Sequence, residues 1–437
     1  MEDRILGILI LLVLLALETG FLAWSATSKE THGKEKSVVR IILAGLFGLL
    51  LFTGALEWSF RYGPLALLLG IQSIASVIAL LREKQDPLIP KKNTLGYVVR
   101  VLLIVVALLP AVLFPQYEQP KTTGDYSVQT TKYTWADPDR KDAFSETGEV
   151  RSLTVEFWFP QDGAATYPLV VFSHGAFGFS GSNYSTFAEL ASNGYVVASI
   201  GHTHHAFYTM STDGKLTIAD SDFIAKAGEI NEAVGPESKE VVYNTTREWM
   251  TLRTDDIAFT IDTILSASGS NGAELPFSLI DREKIGLMGH SLGGAASAQT
   301  GRERSDIDAV IVLDGTMLGE EISLENSAVI LNEIPYPVPL LNVYAEDHYT
   351  AAIEADGDAY DNFAASRNAL CAYETVFLGA GHLNFTDLPL FSPMLAAMLG
   401  VGTIDERYCI ETTNQVVLEF FNSFLKDAPA PNIKSEY

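Results

Sequence analysis

Ser291 has the residue type and surroundings of a nucleophile. It is the central serine of a G-x-S-x-G pattern in the stretch KIGLMGHSLGGAASAQ, residues 284–299. An apolar segment that predicts a strand precedes it, and small residues suited to a helix follow. A tight strand-turn-helix of this kind projects the serine hydroxyl from the top of a sheet. We therefore predict that Ser291 is a nucleophile; the alternative is a glycine-rich turn without catalysis.

A serine nucleophile needs a base, and the histidines available for that role are few. In this architecture the chain order is serine, acid, histidine. Only His348 and His382 follow Ser291. His382 lies in the loop after the last predicted strand, from which an imidazole can reach back to the serine. We predict His382 as the general base, against the alternative of a loop histidine with a structural role.

Two aspartates compete for the role of the acid that orients this histidine. Asp314 ends the predicted strand AVIVLD, and Asp347 ends LLNVYAED. A carboxylate at either strand end could hold the imidazole tautomer and stabilise its protonated form. Spacing alone does not choose between them.

An oxyanion hole requires two backbone N–H groups. We predict that Leu292, directly after the nucleophile, supplies one. The loop SHGAFGFSG follows another predicted strand and has the glycines needed to turn its amides inward, so Ala176 is our choice for the second. The neighbouring His174 is interpreted as a structural histidine of that loop.

Strands and helices alternate in the part of the chain that must position these residues. Short apolar, β-branched runs recur from residue 152 onward: SLTVEFWFP, PLVVFSHG, GYVVASIGH, KIGLMGH, DAVIVLDG, VPLLNVYAED and YETVFLGAGH. Continuous apolar strands separated by helical segments indicate a mostly parallel sheet with helices on both faces. The predicted fold class is α/β, with a catalytic domain over residues 151–437 and a linker with the first strand region over 116–150.

Four motifs carry a resemblance to a known family. FSHGAFG, GHSLGG, VLDGTM and GHLNFTDL, in this order, resemble the platelet-activating-factor acetylhydrolase branch of the α/β-hydrolase superfamily over about residues 150–425. The resemblance implies a calcium-independent serine esterase acting on short or oxidised acyl chains of phospholipids. It maps the nucleophile to Ser291, the acid to Asp314, the base to His382 and the oxyanion amides to Leu292 and Ala176.

Two segments depart from this pattern. The acidic stretch 202–244 has no clear match and is interpreted either as a lid over the site or as a solvated loop. Its His202, His204 and His205 lack a carboxylate partner at a spacing typical of a metal site, so we expect neither a metal nor a cofactor. The first part of the chain, residues 1–115, is foreign to the familiar secreted family members.

The first part of the chain predicts a membrane region of about four spans. Apolar stretches cover residues 4–24, 38–58, 63–81 and 96–114. Each approaches the roughly 20 residues that a helix needs to cross a bilayer. The loops at 25–37 and 82–95 carry most of the Lys and Arg, and positive loops favour the cytoplasmic side. We therefore expect an integral protein of the cell membrane whose catalytic domain is extracytoplasmic.

Composition argues against a nucleic-acid-binding protein and against a scaffold built on disulfide bonds. The chain has a net charge of −25, and residues 1–120 contain only 9 of its 54 Asp and Glu. The acidic second part is a poor partner for nucleic acid, which binds through Lys and Arg. Two cysteines, Cys371 and Cys409, are too few for a disulfide framework; one bridge and two free thiols both stay open.

These observations lead to one functional hypothesis and two rivals. The hypothesis is a membrane-anchored serine hydrolase of ester or lipid substrates, with no protein partner specified. The first rival is a broad esterase of the dienelactone-hydrolase or cutinase kind, in which Asp347 is the acid. The second is a non-catalytic ligand sensor whose membrane helices transmit its state.

Overall fold

The computed structural model describes residues 5–82, 89–161, 165–232, 238–326 and 328–437. The chain forms two compact units, Met1–Glu118 with Leu390–Ala397 and Gln119–Pro389 with Met398–Tyr437. Lys84 of the predicted cytoplasmic loop 82–95 and residues 233–237 of the stretch 202–244 lie outside the described residues.

Helices make up the described part of the first unit. The long ones are α1 (Leu6–Ser28), α2 (Gly33–Phe52), α3 (Gly63–Leu81) and α4 (Pro90–Leu113). Buried side chains such as Leu14, Phe47, Leu65 and Leu108 hold them together, while many other large apolar side chains of these helices are exposed. An apolar outer surface is what a lipid-facing bundle presents.

Three of these helices, searched among the described residues, are long and apolar enough to cross a membrane: α1, α3 and α4. The prediction of about four spans thus exceeds this count by one. The difference lies in α2, because its first two turns carry Lys34, Glu35, Lys36 and Arg40. Burying such charges in hydrocarbon is costly.

An ion cluster joins three of the helices. Glu18 of α1 is 5% exposed, and its carboxylate lies 2.8 Å from Arg40 of α2 and 2.8 Å from Arg100 of α4. Paired charges of opposite sign are the usual form in which ionised groups occur inside a helical bundle. This cluster therefore fixes α1, α2 and α4 to one another.

The second unit is built on an eight-stranded sheet in the order β1-β2-β4-β3-β7-β8-β11-β12. From β4 to β12 all neighbours are parallel, and β1 and β2 add an antiparallel edge. This confirms the predicted α/β class. The strands are β1 (Val128–Lys141), β2 (Val150–Pro160), β3 (Tyr167–Ser173), β4 (Val196–Gly201), β7 (Ile280–His290), β8 (Ala309–Leu313), β11 (Leu340–Ala345) and β12 (Ala372–Phe377).

Helices and two small hairpins complete this unit. The hairpins are β5 (Tyr208–Met210) with β6 (Leu216–Ile218), and β9 (Glu321–Glu325) with β10 (Ala328–Leu331). The helices are α5 (Tyr184–Ser192), α6 (Ser221–Glu232), α7 (Lys239–Ser268), α8 (Leu292–Glu303), α9 (Glu346–Ala355), α10 (Asp361–Asn368) and α13 (Glu406–Leu425). Two short helices, α11 (Leu388–Phe391) and α12 (Pro393–Leu399), overlap the segment Leu390–Ala397, which belongs to the first unit.

The core has one layer on each face of the sheet. Every residue of β3 is buried, with Leu169 and Val171 in one apolar cluster and Val170 and Phe172 in the other. A strand covered on both faces must be apolar at consecutive positions, which is the pattern seen in the sequence. Because the strands from β4 to β12 are parallel, their carboxyl ends lie along the same edge of the sheet.

Candidate active site

Ser291 occupies a strained turn between β7 and α8. Its backbone has φ 55° and ψ −128°, a region that side chains other than glycine rarely adopt and that tends to occur at functional sites. The glycines on either side allow this turn. A Cβ on Gly289 would lie 2.2 Å from the Gly293 carbonyl carbon, and one on Gly293 would lie 2.0 Å from the Ser173 oxygen.

Asp314 lies at the same edge of the sheet, directly after β8. Its backbone is also left-handed, with φ 47°, and its amide donates to the carbonyl of Val343 on the neighbouring strand β11 at 2.7 Å. The Ser291 amide donates in turn to Leu313 at 2.9 Å. These backbone bonds tie the two turns together, and the Asp314 side chain is fully buried.

His382 lies in the loop after β12 and contacts Asp314. Its Nδ1 is 2.6 Å from Asp314 Oδ2, and its side chain is 41% exposed. The loop is held by Asn384, whose side-chain oxygen accepts from the amides of Gly381 and Gly402. His290, which precedes Ser291, packs its ring 4.6 Å from the ring of His382. The structure thus brings His382 and Asp314 to the end of the strand that carries Ser291.

The electrostatics of Asp314 favour its charged form. Burial by itself would raise the pKa of this carboxyl, but hydrogen bonds from His348 and His382 outweigh it and hold the pKa well below its ordinary value. A backbone bond from the Ala345 amide at 2.7 Å adds a further donor. A buried carboxylate satisfied in this way stays ionised and can stabilise an adjacent imidazolium.

Asp347, the alternative acid, takes a different position. It lies in the first turn of α9, where its Oδ1 accepts from the His348 amide at 2.7 Å. With His348 and His382 it lines an open depression of about 340 Å³. The Nδ1 atom of His382 is directed to Asp314, so the geometry favours Asp314 over Asp347.

The loop that holds Ala176 passes beside the nucleophile. A Cβ on Gly175 would lie 3.1 Å from the Ser291 Cβ, so a larger residue here would require its neighbours to shift. The Phe177 amide is already engaged with the His205 carbonyl at 3.2 Å. Phe177 is therefore less suited than Ala176 to donate its amide to an oxyanion.

A buried polar network holds this loop from below. Arg253 of α7 is fully buried and donates from Nη1 to the His174 carbonyl at 2.7 Å. His174, also fully buried, makes a 2.7 Å contact from Nδ1 to the Gly175 carbonyl, as a structural histidine would. Burial, with the charge of Arg253 as the next cause, places the pKa of His174 well below its ordinary value.

Asp256 is the anionic centre of the same network. Arg151 donates to both of its oxygens, at 3.2 and 2.7 Å, and His202 Nδ1 lies 2.9 Å away. The other ring nitrogen of His202 is 2.8 Å from Ser173 Oγ, so a serine-histidine-aspartate chain exists here as well. All of its members are buried to 1% exposure or less, which makes this chain structural.

Part of the described region of the stretch 202–244 packs against this loop. Phe223 of α6 stacks on His205 with ring centroids 3.9 Å apart and packs against Phe177 at 4.9 Å. Burial lowers the pKa of His205 to about 2, so this ring is neutral. His202 and His205, two of the three histidines that raised the question of a metal, therefore belong to the packing beneath the loop that holds Ala176, whereas His204 stacks on Phe144 away from it.

One group in the described structure has donor atoms close enough to be compared with a metal site. Asp314, His348 and His382 place one ligand atom each within 4.8 Å of one another. The same atoms are joined directly by hydrogen bonds of 2.6 and 3.1 Å. We therefore interpret the group as a hydrogen-bonded charge cluster.

The described cysteines are both free, Cys409 buried and Cys371 partly buried. Burial raises the pKa of the Cys409 thiol to about 12, so it is an inert core residue. Of the alternatives left open by the sequence, the structure has two unpaired thiols.

Sequence reasoning gave no role to His348 and none to Arg253. The sequence did contain a reason to consider His348 as a site residue, since it is one of two histidines after Ser291 and directly follows Asp347. For Arg253 the reason was weaker, an arginine within an amphipathic helical pattern. Both became apparent only when the folded chain brought distant segments together.

Comparison with known proteins identifies the family of the chain. The family model described as platelet-activating factor acetylhydrolase, isoform II, matches residues 147–253 and 274–429. The chain belongs to this family. The matched ranges include Ser291, Asp314 and His382, together with Arg253 and the loop that holds Ala176.

Curated relatives include enzymes named platelet-activating factor acetylhydrolase. The protein from Cavia porcellus is 24% identical over 59% of this chain and 58% of its own length, and that from Canis lupus familiaris is 27% identical over 59% and 57%. The chain thus spans a little over half the length of these relatives. Among solved structures, a ferulic acid esterase from Streptomyces cinnamoneus superposes with a TM-score of 0.52 at 21% identity, covering 71% of this chain and 94% of that one. This likeness shows the fold.

Proposed function

We propose that the protein is a serine carboxylic-ester hydrolase with Ser291 as nucleophile, His382 as general base and then acid, and Asp314 as the orienting carboxylate. The observation that carries the proposal is the 2.6 Å contact between His382 Nδ1 and Asp314 at the edge where the Ser291 turn projects. Membership of the acetylhydrolase family supports it.

The hydrogen bonds imply the order of proton movements. Because Nδ1 of His382 donates to Asp314, its Nε2 carries the lone pair that accepts the Ser291 proton. Ser291 Oγ bonds to the acyl carbon, and the leaving alcohol departs with the proton held by His382. Water then gives a proton to His382 and attacks the acyl-enzyme, which releases the acid and restores Ser291. The amides of Leu292 and Ala176 stabilise the oxyanion of both tetrahedral intermediates.

Replacing Ser291 with Ala is expected to abolish ester hydrolysis. The loss should be at least about a thousand-fold in kcat, because no other group forms the acyl-enzyme. The measurement is hydrolysis of p-nitrophenyl esters from acetyl to palmitoyl, beside labelling by a fluorophosphonate probe. Ser297 of α8, buried at 1% exposure, offers a matched control as Ser297→Ala. Wild-type protein that neither cleaves nor labels would favour the ligand sensor.

We propose further that the substrate is a phospholipid ester with a short or modified acyl chain. The names of the curated relatives support this class, and three apolar helices would keep the enzyme at a lipid surface. Comparing vesicles that contain such a phospholipid with water-soluble esters tests it. Cleavage of soluble esters alone would favour a broad esterase of the dienelactone-hydrolase or cutinase kind.

The proposed location of the second unit is extracytoplasmic in the cell membrane. The positive loops at 25–37 and 82–95 support this orientation. Lys215→Cys, at a side chain 68% exposed, should react with a membrane-impermeant maleimide on intact cells in a Cys371→Ser background. The matched variant Lys29→Cys should react only after permeabilisation. The reverse pattern would place the second unit in the cytoplasm.

A further inference from the structure

The buried carboxylate of Asp314 serves two histidines. His382 Nδ1 lies 2.6 Å from Oδ2, and His348 Nδ1 lies 3.1 Å from Oδ1. The Ala345 amide also donates to Oδ1 at 2.7 Å. A triad needs only the first of these imidazoles, so His348 is an additional partner of a carboxylate that is already well satisfied.

His348 is held firmly in this position. Its Nε2 lies 3.2 Å from the Tyr360 hydroxyl, which is itself 3.2 Å from Thr316 Oγ1. Both ring nitrogens therefore have partners, and the side chain is 29% exposed. With Nε2 engaged by Tyr360, His348 has no free lone pair with which to serve as a second base.

We infer that His348 is a positioning residue that shares the charge of Asp314 with His382 and thereby sets the pH at which His382 becomes a competent base. The inference rests on the proposed esterase function. A proton on His348 partly neutralises Asp314, and the imidazolium of His382 is then less stabilised. The two imidazoles are thus electrostatically coupled through the carboxylate that they share.

The charged and titratable groups around His348 support this role. Asp314 faces it from the end of β8, His382 from the loop after β12 with ring centroids 6.5 Å apart, Tyr360 from the start of α10, and Asp347 precedes it on α9. The hydrogen bond to Asp314 raises the pKa of His348 against the effect of burial, and the Asp347 charge adds to the rise. His348 therefore carries a proton over part of the range in which a histidine base titrates.

The test is the pH profile of kcat/KM for a short p-nitrophenyl ester. Two variants are compared: His348→Asn keeps a neutral amide donor near Asp314, and His348→Phe keeps none. In both, the acid limb of the profile, which is the fall in kcat/KM at low pH, should move to higher pH by about 0.5 to 1 unit. His204→Asn, at a histidine of similar exposure (25%) outside the cluster, should leave the limb in place. Thermal unfolding of each variant checks that the fold is retained.

The outcomes separate the inference from the proposed function. An unchanged acid limb in folded, active His348→Asn would overturn the inference, even if kcat fell. A purely structural role predicts that Asn restores the profile that Phe disturbs, and this result would also overturn it. Wild-type protein without esterase activity would contradict the proposed function instead.

Discussion

Asp314→Asn is expected to lower kcat by about a thousand- to ten-thousand-fold. An asparagine in place of the buried carboxylate presents the wrong hydrogen-bonding groups to His382 Nδ1, which lies 2.6 Å away. It also removes the negative charge that stabilises the imidazolium in the transition state. Steady-state kinetics on a short p-nitrophenyl ester measure the effect, and KM should change far less than kcat.

The matched control is Asp347→Asn. This carboxylate lies in the first turn of α9 and accepts from the His348 amide, so its loss should leave kcat within several-fold of wild type. Equal thermal stability of the two variants would show that both are folded. If Asp347→Asn were the crippled variant, the cutinase-like assignment of the acid would replace ours.

Asp256→Ala is expected to destabilise the second unit by about 3–5 kcal/mol. The substitution leaves Arg151, which is 2% exposed, without its bidentate carboxylate, and removes the partner of His202 Nδ1. Burial raises the pKa of Asp256, but Arg151 and the hydrogen bond from His202 outweigh it and hold the pKa far below its ordinary value. Chemical denaturation at neutral pH, followed by tryptophan fluorescence, measures the loss.

The sign of the pH dependence follows from the direction of that shift. A carboxyl whose pKa is depressed in the folded state contributes stability above its unfolded pKa of about 3.9 and loses it as pH falls further. The gap between wild type and Asp256→Ala should therefore be constant from neutral pH to about pH 5 and narrow below pH 4. The neighbouring Asp255, whose side chain is 51% exposed, is the matched control, and Asp255→Ala should cost well under half as much. Equal losses at both positions would contradict a central role for Asp256.

The local sequence was enough to predict the sheet and the nucleophile turn. Strands buried on both faces must be apolar at consecutive positions, and β3, β4, β7 and β8 show this as continuous runs. Gly289 and Gly293 were equally informative, because their Cβ atoms would overlap the backbone. Such constraints act between residues that are close together in the chain, so they can be recognised from a single sequence.

The local sequence was not enough to choose between Asp314 and Asp347 as the acid. Both closely follow an apolar strand of the parallel sheet, and they are 33 positions apart in the chain. The decision depends on where the loop after β12 folds back, which is set by the contacts of Asn384 and His290. The His290 contact joins residues 92 apart and the Gly402 contact joins residues 18 apart, so no local pattern contains them.

The sequence by itself determined the α/β class, the apolar helices of the first unit and the serine turn, because periodicity and glycine placement reflect local backbone and burial requirements. Only the tertiary structure decided that Asp314 accepts from His382, that His348 shares the same carboxylate, and that Arg253 donates to the His174 carbonyl in the loop that holds Ala176. Hydrogen bonds between side chains depend on distances of a few tenths of an ångström. Such distances exist only once the whole sheet has packed.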